Sequence, residues 1–235
     1  MWLKFSRIVE ANPAVAAYVR AIRISFPVCP LSAFFYAATS QNENSLGVLR
    51  LLPNVRTFYL DAGSQLRPRA HYQLGNWLEL PMTLAGEIVS LMERDVLTTI
   101  SISGFEYFPI RALSCSTALE RLQLNDVSFS HSETSDWAGP VGSLARLRIV
   151  KVSTYSHLLF PIAQPRMLAN RRFHPTRLTI RLPITLAELD HWQGMLDVVG
   201  GSLQEFKYSV DCTCLFLIQF RDIVFKLTFR FLPNS

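Results

Sequence analysis

Short hydrophobic phrases with the spacing one, four, six recur along the chain. In residues 118–127, ALERLQLNDV, leucines stand at 119, 122 and 124 with polar residues between them. Leu122 and Leu124 share one face of a β-strand, because side chains in a strand alternate with a period of two. Leu119 falls where the chain turns into that strand. The phrase therefore predicts a short strand with one apolar face.

The same phrase, written L-x-x-L-x-L, occurs eight times and becomes looser towards the C-terminus. Its starting positions are separated by 36, 42, 22, 25, 31, 28 and 12 residues. Steps in the twenties are typical of leucine-rich repeats, and the longer steps leave room for a helix with loops. The last step is too short for a strand and a helical return, so the pattern degrades there. The matches are VRAIRI (19–24), VRTFYL (55–60), LTTISI (97–102), LERLQL (119–124), LARLRI (144–149), PTRLTI (175–180), LQEFKY (203–208) and LFLIQF (215–220).

Several segments between the phrases predict helices. In the clearest, Thr185 and Glu188 form a capping box ahead of an apolar stripe of helical period. A second helix covers residues 81–92, a shorter one ends at Pro53, and Asn12 precedes a proline in the way that begins a helix. No periodicity is found in residues 61–76, 128–142 and 161–174, which are predicted loops.

This alternation predicts an α/β fold, and we favour an irregular leucine-rich-repeat-like solenoid with parallel strands on one face and helices or loops on the other. We assign residues 1–235 to a single domain of this kind. Residues 1–18 form its linker-like N-terminal helical segment, and 221–235 its degraded C-terminal end. An ordinary α/β domain with a parallel sheet produces the same alternation and is the alternative.

The solenoid makes a specific prediction about two neighbouring phrases. Residues 119–124 and 144–149 should form adjacent parallel strands. A regular repeat would carry asparagine three residues after its last leucine, whereas Val127 and Val152 stand there, which makes the solenoid irregular. The residues predicted to be buried are Leu119, Leu122, Leu124, Leu144, Leu147 and Ile149, and those predicted to be exposed on a shared face are Gln123 and Arg148.

Composition narrows the class of protein further. The chain has 235 residues, of which 49% are hydrophobic and 17% are charged, so an extensive core is available. No apolar run reaches the roughly 18 residues of a membrane helix, and we expect no membrane association. Four scattered cysteines do not make a disulfide framework and predict an intracellular protein, cytoplasmic or nuclear.

Catalytic and metal-binding signatures are missing from the sequence. It contains no nucleophile elbow, phosphate loop, dinucleotide fingerprint or zinc-protease motif. The stretch SHSETSDW (130–137) brings serine, histidine and acidic residues together, but a catalytic triad converges from separate elements, so we predict a solvated loop. DCTC (211–214) lacks a second ligand pair. We therefore expect no enzyme activity, catalytic residues, metal or cofactor.

Charge is concentrated in one region. From residue 140 to residue 187 the chain has eight arginines and lysines and no acidic residue, while the whole chain carries a net charge of +5. Outward positions of neighbouring strands lie side by side, so these cations should repel one another unless a partner is acidic. Scattered arginines that keep the surface solvated are the alternative. The predicted partner-binding residues, on the concave face of the solenoid, are Arg121, Arg146, Arg148, Arg177 and Arg181.

Three longer stretches carry a resemblance to a known family. They are FSRIVEANPAVAAYVRAIRI, LLPNVRTFYL and FPIRALSCSTALERLQLNDVSF. These stretches resemble the region that follows the F-box in fungal, particularly mushroom-type, F-box proteins with leucine-rich-repeat-like tails. The resemblance runs from about Phe5 to Ile223 and implies a substrate-recognition region of a cullin-type ubiquitin ligase. The F-box itself, which binds the ligase adaptor, is absent, so we expect a truncated protein that does not bind the adaptor.

Three functions are compatible with these observations. The first is a protein–protein interaction module with an acidic protein partner, resembling the substrate receptor of a ubiquitin ligase. The second is a binder of nucleic acid or another acidic polymer through the arginine-rich face. It ranks lower because only Tyr155, Phe160 and Phe173 could stack on bases within the basic region. An enzyme on an α/β fold is the third, with no residue pattern in its favour.

Overall fold

One mostly parallel β-sheet organises the chain. The computed structural model describes residues 2–26, 43–62, 74–114, 116–129, 146–153, 175–181, 196, 199–211 and 224–230. Its strands are β1 (Ala21–Ser25), β2 (Thr57–Asp61), β3 (Gly75–Asn76), β4 (Thr99–Phe108), β5 (Arg121–Phe129), β6 (Ile149–Ser153), β7 (Arg177–Arg181), β8 (Glu205–Asp211) and β9 (Val224–Arg230). The order across the sheet is β1-β2-β4-β5-β6-β7-β8-β9, and β3 pairs separately with the end of β4. Each long strand therefore lies beside the one that precedes it in sequence, and the sheet is not closed.

The strands from β1 to β8 are in matching register. Leu122 of β5 stands beside Ile100 of β4 and Val150 of β6, and the same alignment continues to Leu178 and Phe206. All these pairings are parallel, which confirms the α/β fold. The strands predicted from residues 119–124 and 144–149 are parallel neighbours as expected, but the second one begins only at Ile149. Only the last pairing, between β8 and β9, is antiparallel.

A hydrogen bond pattern recurs where each strand begins. The carbonyl oxygen of Glu120 accepts from the backbone N–H groups of Arg148 and Ile149, and the carbonyl oxygen of Arg148 accepts in the same way from the next repeat. Carbonyl groups at the equivalent position before β1, β2, β4 and β7 do likewise. These hydrogen bonds thus connect the turn before each strand to the turn before the next strand of the sheet. The accepting residues are Arg20, Arg56, Thr98, Glu120, Arg148 and Thr176.

This pattern corrects the phrase assigned to residues 144–149. Because Val150 pairs with Leu122 and Val152 with Leu124, the phrase in this repeat is LRIVKV, starting at 147 and not at 144. The last four repeats then start at 119, 147, 175 and 203, with a constant step of 28 residues. The repeats are more regular than the sequence alone indicated. The phrase at 215–220 lies outside the described residues.

The inward positions of the phrases form the core. Leu119, Leu122, Leu124 and Leu147 are buried as predicted. Ile149 is only half-buried, because the corrected frame puts it on the opposite side of β6, and Gln123 is half-buried rather than exposed. Leu144 lies outside the described residues. Truncating one of the fully buried leucines would remove about 2–5 kcal/mol from the free energy of unfolding.

Helices lie between several of the strands, and the described residues Leu196 and Val199, before β8, are also helical. The helices are α1 (Trp2–Ala11), α2 (Pro13–Ala16), α3 (Met82–Met92) and α4 (Ile110–Ser114), with 3-10 helices η1 (Glu43–Leu51), η2 (Trp77–Glu79) and η3 (Gly200–Ser202). The predicted helix at 81–92 is confirmed with one change, since Pro81 is its N-cap. The segment before Pro53 is a 3-10 helix, and α2 begins after Asn12 as predicted. The capping box of Thr185 and Glu188 lies outside the described residues.

Arginine and glutamate side chains join α3 to η1. Arg94, just after α3, donates from Nη1 and Nη2 to the carbonyl oxygens of Leu52 and Leu49 near the end of η1. The carbonyl oxygen of Leu49 also accepts from the backbone N–H of Leu52. Arg50 Nε of η1 lies 2.5 Å from Oε1 of the buried Glu87 of α3. Burial lowers the pKa of Arg94, and the nearby charge of Glu87 opposes that shift. The two elements are therefore fixed by polar contacts as well as by packing.

An aromatic cluster fills the end of the sheet beyond the repeats of β4 and β5. Trp77 makes edge contacts with Phe105 and Phe108, and Phe108 with Phe129. In the same region β4 departs from regular pairing with β5 between Phe105 and Phe108, and Gly104, just before this stretch, has φ 74°. The two-residue strand β3 also pairs at this point, within a segment predicted to be a loop.

Candidate functional site

The side of the sheet opposite the core carries the candidate site. We call this surface the outer face and define it by the residues that alternate with the buried ones in the parallel strands. Each strand contributes two outward positions near its start, which line up in two rows across the sheet. The first row is Ala21, Thr57, Thr99, Arg121, Ile149, Arg177 and Glu205, and the second is Arg23, Tyr59, Ser101, Gln123, Lys151, Thr179 and Lys207.

The two halves of the outer face differ in charge. Four cations stand on four successive strands, one each on β5, β6, β7 and β8, and all four are exposed. On β4 the corresponding positions are Thr99 and Ser101, which carry no charge. We call the cationic half the basic patch and define it by Arg121, Lys151, Arg177 and Lys207.

One carboxylate lies within the basic patch. Glu205 Oε1 is 2.8 Å from Lys207 Nζ, and its Oε2 is 3.6 Å from Arg177 Nε. The glutamate side chain is only 22% exposed, whereas Arg177 is 60% exposed. Arg121 and Lys151 have no ion pair within the described part of the chain. The positive charge that is available to a partner is therefore greatest on β5 and β6.

A single aliphatic side chain interrupts the cations. Ile149 stands between Arg121 and Arg177 in the first row, and Lys151 is two residues further along the same strand. Strands are about 4.8 Å apart, so the two arginines start about 9–10 Å from each other. That separation is close to the Debye length of about 8 Å at physiological ionic strength, and their mutual repulsion is largely screened. The repulsion expected between arginines of the outer face is therefore weak for this pair.

The structure separates the five arginines predicted to bind a partner. Arg121 and Arg177 lie on the outer face, as predicted. Arg146 and Arg148 are exposed but precede β6, which begins at Ile149, so they lie in the turn and not on the sheet. Their placement was wrong because the phrase was aligned three residues early. Arg181 ends β7, opposite Ser153 of β6.

Three cations of the outer face were missed as site residues. Lys151 and Lys207 belong to the second row, and the alternation around the correct frame LRIVKV would have identified Lys151. Arg23 lies in the same row at the other end of the sheet, with its guanidinium 5.0 Å from the ring centroid of Tyr59. This cation–π contact occupies the ring of Tyr59, the aromatic side chain of the two rows.

Clusters of metal-ligating side chains are absent from the described part of the chain. No group of three or more histidine, cysteine, aspartate or glutamate side chains there could hold a metal ion. All five histidines, all four cysteines and the stretch 130–137 lie outside the described residues, so their interpretation remains a prediction. Among the helices of the described part, none has the length and hydropathy needed to cross a membrane.

Comparison of the chain with protein families, with curated proteins and with solved structures yields no match.

Proposed function

We propose that the chain is a protein–protein interaction module that binds an acidic partner on the basic patch. The observation that carries this proposal is the presence of cations on four successive strands of an exposed sheet face. A surface of this kind attracts acidic partners and accelerates their association. The strands that carry these side chains are held by backbone hydrogen bonds of the sheet, so the backbone itself loses little conformational entropy on binding.

The architecture we propose is an irregular leucine-rich-repeat-like solenoid. Three features support it: strands in sequence order, one shared register, and the carbonyl group that accepts two N–H groups from the following repeat. The constant step of 28 residues over the last four repeats adds to them. Stacked repeats of this type present a continuous surface, which suits the recognition of an extended partner.

The resemblance to the region after the F-box of fungal proteins supports a more specific role. In that role the basic patch would hold a substrate for a cullin-type ubiquitin ligase. The substrate would be a protein with an acidic segment, because the outer face offers cations and few acidic side chains.

Binding of nucleic acid is the second candidate, and the positive charge alone favours it. Single strands are usually held by aromatic side chains as well as by cations. In the two rows of the outer face the aromatic residue is Tyr59, which lies beneath Arg23 and not beside the basic patch. An acidic protein is therefore the better supported partner.

The test removes the charge of the basic patch. A triple variant and a control variant with equal loss of charge are compared for binding to a glutamate-rich peptide and to duplex DNA at two ionic strengths. We expect the patch variant to lose about tenfold in affinity for the peptide, since each exposed pair contributes about 0.2–1 kcal/mol. The patch variant is Arg121→Gln, Lys151→Gln and Arg177→Gln, and the control variant, at exposed positions away from the patch, is Arg7→Gln, Arg20→Gln and Arg56→Gln.

The two candidates give different results. Equal affinities of the patch and control variants for the peptide would contradict the proposal. If DNA binding falls and peptide binding does not, nucleic acid replaces protein as the partner. In that case the log–log salt dependence should flatten by about 0.9 for each phosphate contact that is lost.

A further inference from the structure

The aliphatic residue within the basic patch indicates what kind of acidic segment the patch binds. Ile149 belongs to the first row of the outer face, and its neighbours in register are Arg121 and Arg177. It is half-buried although it points away from the core. Other outward positions near the starts of β4 to β8 are polar or charged. Ile149 is not among the residues that form the core or pack against it, so its apolar side chain is available on the outer face.

Ile149 and its neighbours resemble the centre of a small protein interface, with an apolar side chain surrounded by charged ones. Binding energy in protein interfaces is concentrated in a few central side chains, surrounded by polar contacts that exclude water. Here an aliphatic side chain has Arg121 and Arg177 on either side and Lys151 two residues along its own strand. The neighbouring strands are about 4.8 Å away, and Lys151 is about 6.5–7 Å away along the strand. A partner side chain packed on Ile149 would thus bring its own flanking residues within reach of all three cations.

We propose that Ile149, Arg121, Lys151 and Arg177 form a recognition site for a segment in which a large aliphatic residue is flanked by acidic residues. This inference rests on the proposed function and specifies its partner. The aliphatic residue of the partner packs on Ile149, and carboxylates on both sides of it pair with the cations. Carboxylates near Arg121 and Lys151 meet cations that have no ion pair within the described residues. Glu205 bounds the site on the side of β8, because it already pairs with Arg177 and Lys207.

Two peptides that differ at one position separate the aliphatic contact from the charge. One has the central sequence Glu-Glu-Leu-Glu-Glu, and in the other serine replaces the leucine. We expect the wild-type chain to bind the leucine peptide about tenfold more tightly, as partial burial of one leucine side chain allows.

Substitution of Ile149 then identifies the contact. Ile149→Thr keeps a β-branched side chain of high strand propensity, so the sheet should form normally. We expect this variant to bind both peptides equally, with the affinity that the wild type has for the serine peptide. Thr179→Val, which adds an apolar group to the neighbouring strand β7 on the same face, is the control and should keep the preference for leucine.

The outcomes distinguish this inference from the proposed function. If Ile149→Thr retains the preference for leucine, or if the wild type has none while both peptides bind in a salt-sensitive way, the aliphatic site is refuted and the interaction module remains. If neither peptide binds the wild type, both proposals fail. Ile149→Val, with one methylene fewer, should show an intermediate preference, and it provides the test should the threonine variant fail to fold.

Discussion

At the scale of single residues, the face of the sheet to which a strand position belongs decides whether its side chain is buried. Leu122 is buried and Gln123, one residue later, is half-exposed on the other side of β5. This alternation could be predicted from the sequence wherever only one alignment of the phrase L-x-x-L-x-L was possible. In LARLRIVKV two frames fit, because leucines stand at both 144 and 147 and apolar residues follow both. The correct frame is identified by the hydrogen bonds from the N–H groups of Arg148 and Ile149 to the carbonyl oxygen of Glu120. Because Glu120 belongs to the preceding repeat, the sequence around residue 147 gives no sign of these bonds.

The core role of one leucine can be measured directly. Leu122→Ala should lower the free energy of unfolding by about 2–5 kcal/mol, because the side chain is buried and its removal leaves a cavity. Gln123→Ala is the matched control on the same strand and should change it by no more than about 0.5 kcal/mol. Urea unfolding followed by circular dichroism measures both. A similar loss in the two variants would contradict the assigned burial.

Glu205 should limit the affinity of the basic patch. Glu205→Gln keeps the shape of the side chain but removes the charge that pairs with Arg177 and Lys207. We expect binding of a glutamate-rich peptide to strengthen by about two- to fivefold, in keeping with the small energies of exposed ion pairs. Glu10→Gln, an exposed position on α1, gives the same change of net charge and should have a smaller effect. Titration at low and moderate salt would show an unchanged affinity if Glu205 did not compete.

At the scale of elements, the sequence was informative where a signal was local. The helix at 82–92 follows from its apolar period and from the proline before it. The irregularity near the end of β4 could not be predicted in this way. Tyr107 there has φ 57°, and a tyrosine side chain gives no reason to expect a left-handed conformation. The aromatic contacts among Trp77, Phe105 and Phe108 accompany that irregularity, and they join residues from separate elements. The conformation at the end of β4 therefore depends on packing between elements, which local sequence patterns do not reveal.

The junction between η1 and α3 can be tested through Arg94. Arg94→Met keeps the length of the side chain but removes the side-chain donors to the carbonyl oxygens of Leu52 and Leu49, of which Leu49 keeps the backbone N–H of Leu52. Loss of these contacts should lower the free energy of unfolding by about 1–3 kcal/mol. Arg56→Met, at an exposed position before β2, is the control and should have little effect. Thermal unfolding in which both variants resemble the wild type would show that the contact adds no stability.

At the scale of the whole molecule, the order and direction of the strands follow from repetition. The recurring phrases predicted parallel neighbours, and the pairing from β1 to β8 is parallel. The reversal at β9 was not predicted, because VFKLTFR alternates like any strand and its direction depends on the connection before it. The predicted site was only partly recovered for a related reason. The number of cations could be counted from the sequence. Which of them lie on the sheet and which lie in turns depends on the register of the strands, and that is known only from the structure.

The strand order also determines how the molecule should respond to force. β1 and β9 lie at opposite edges of the sheet, so pulling on the two ends of the chain loads the sheet across its strands. Hydrogen bonds between strands then lie along the direction of pull and open one after another, as in a zipper, instead of resisting together in shear. Each freed repeat between 119 and 203 releases 28 residues, or at most about 100 Å of extended chain. In an optical trap we expect a series of low-force steps of nearly equal length, whereas one large rupture would mean that the repeats yield as a single mechanical unit.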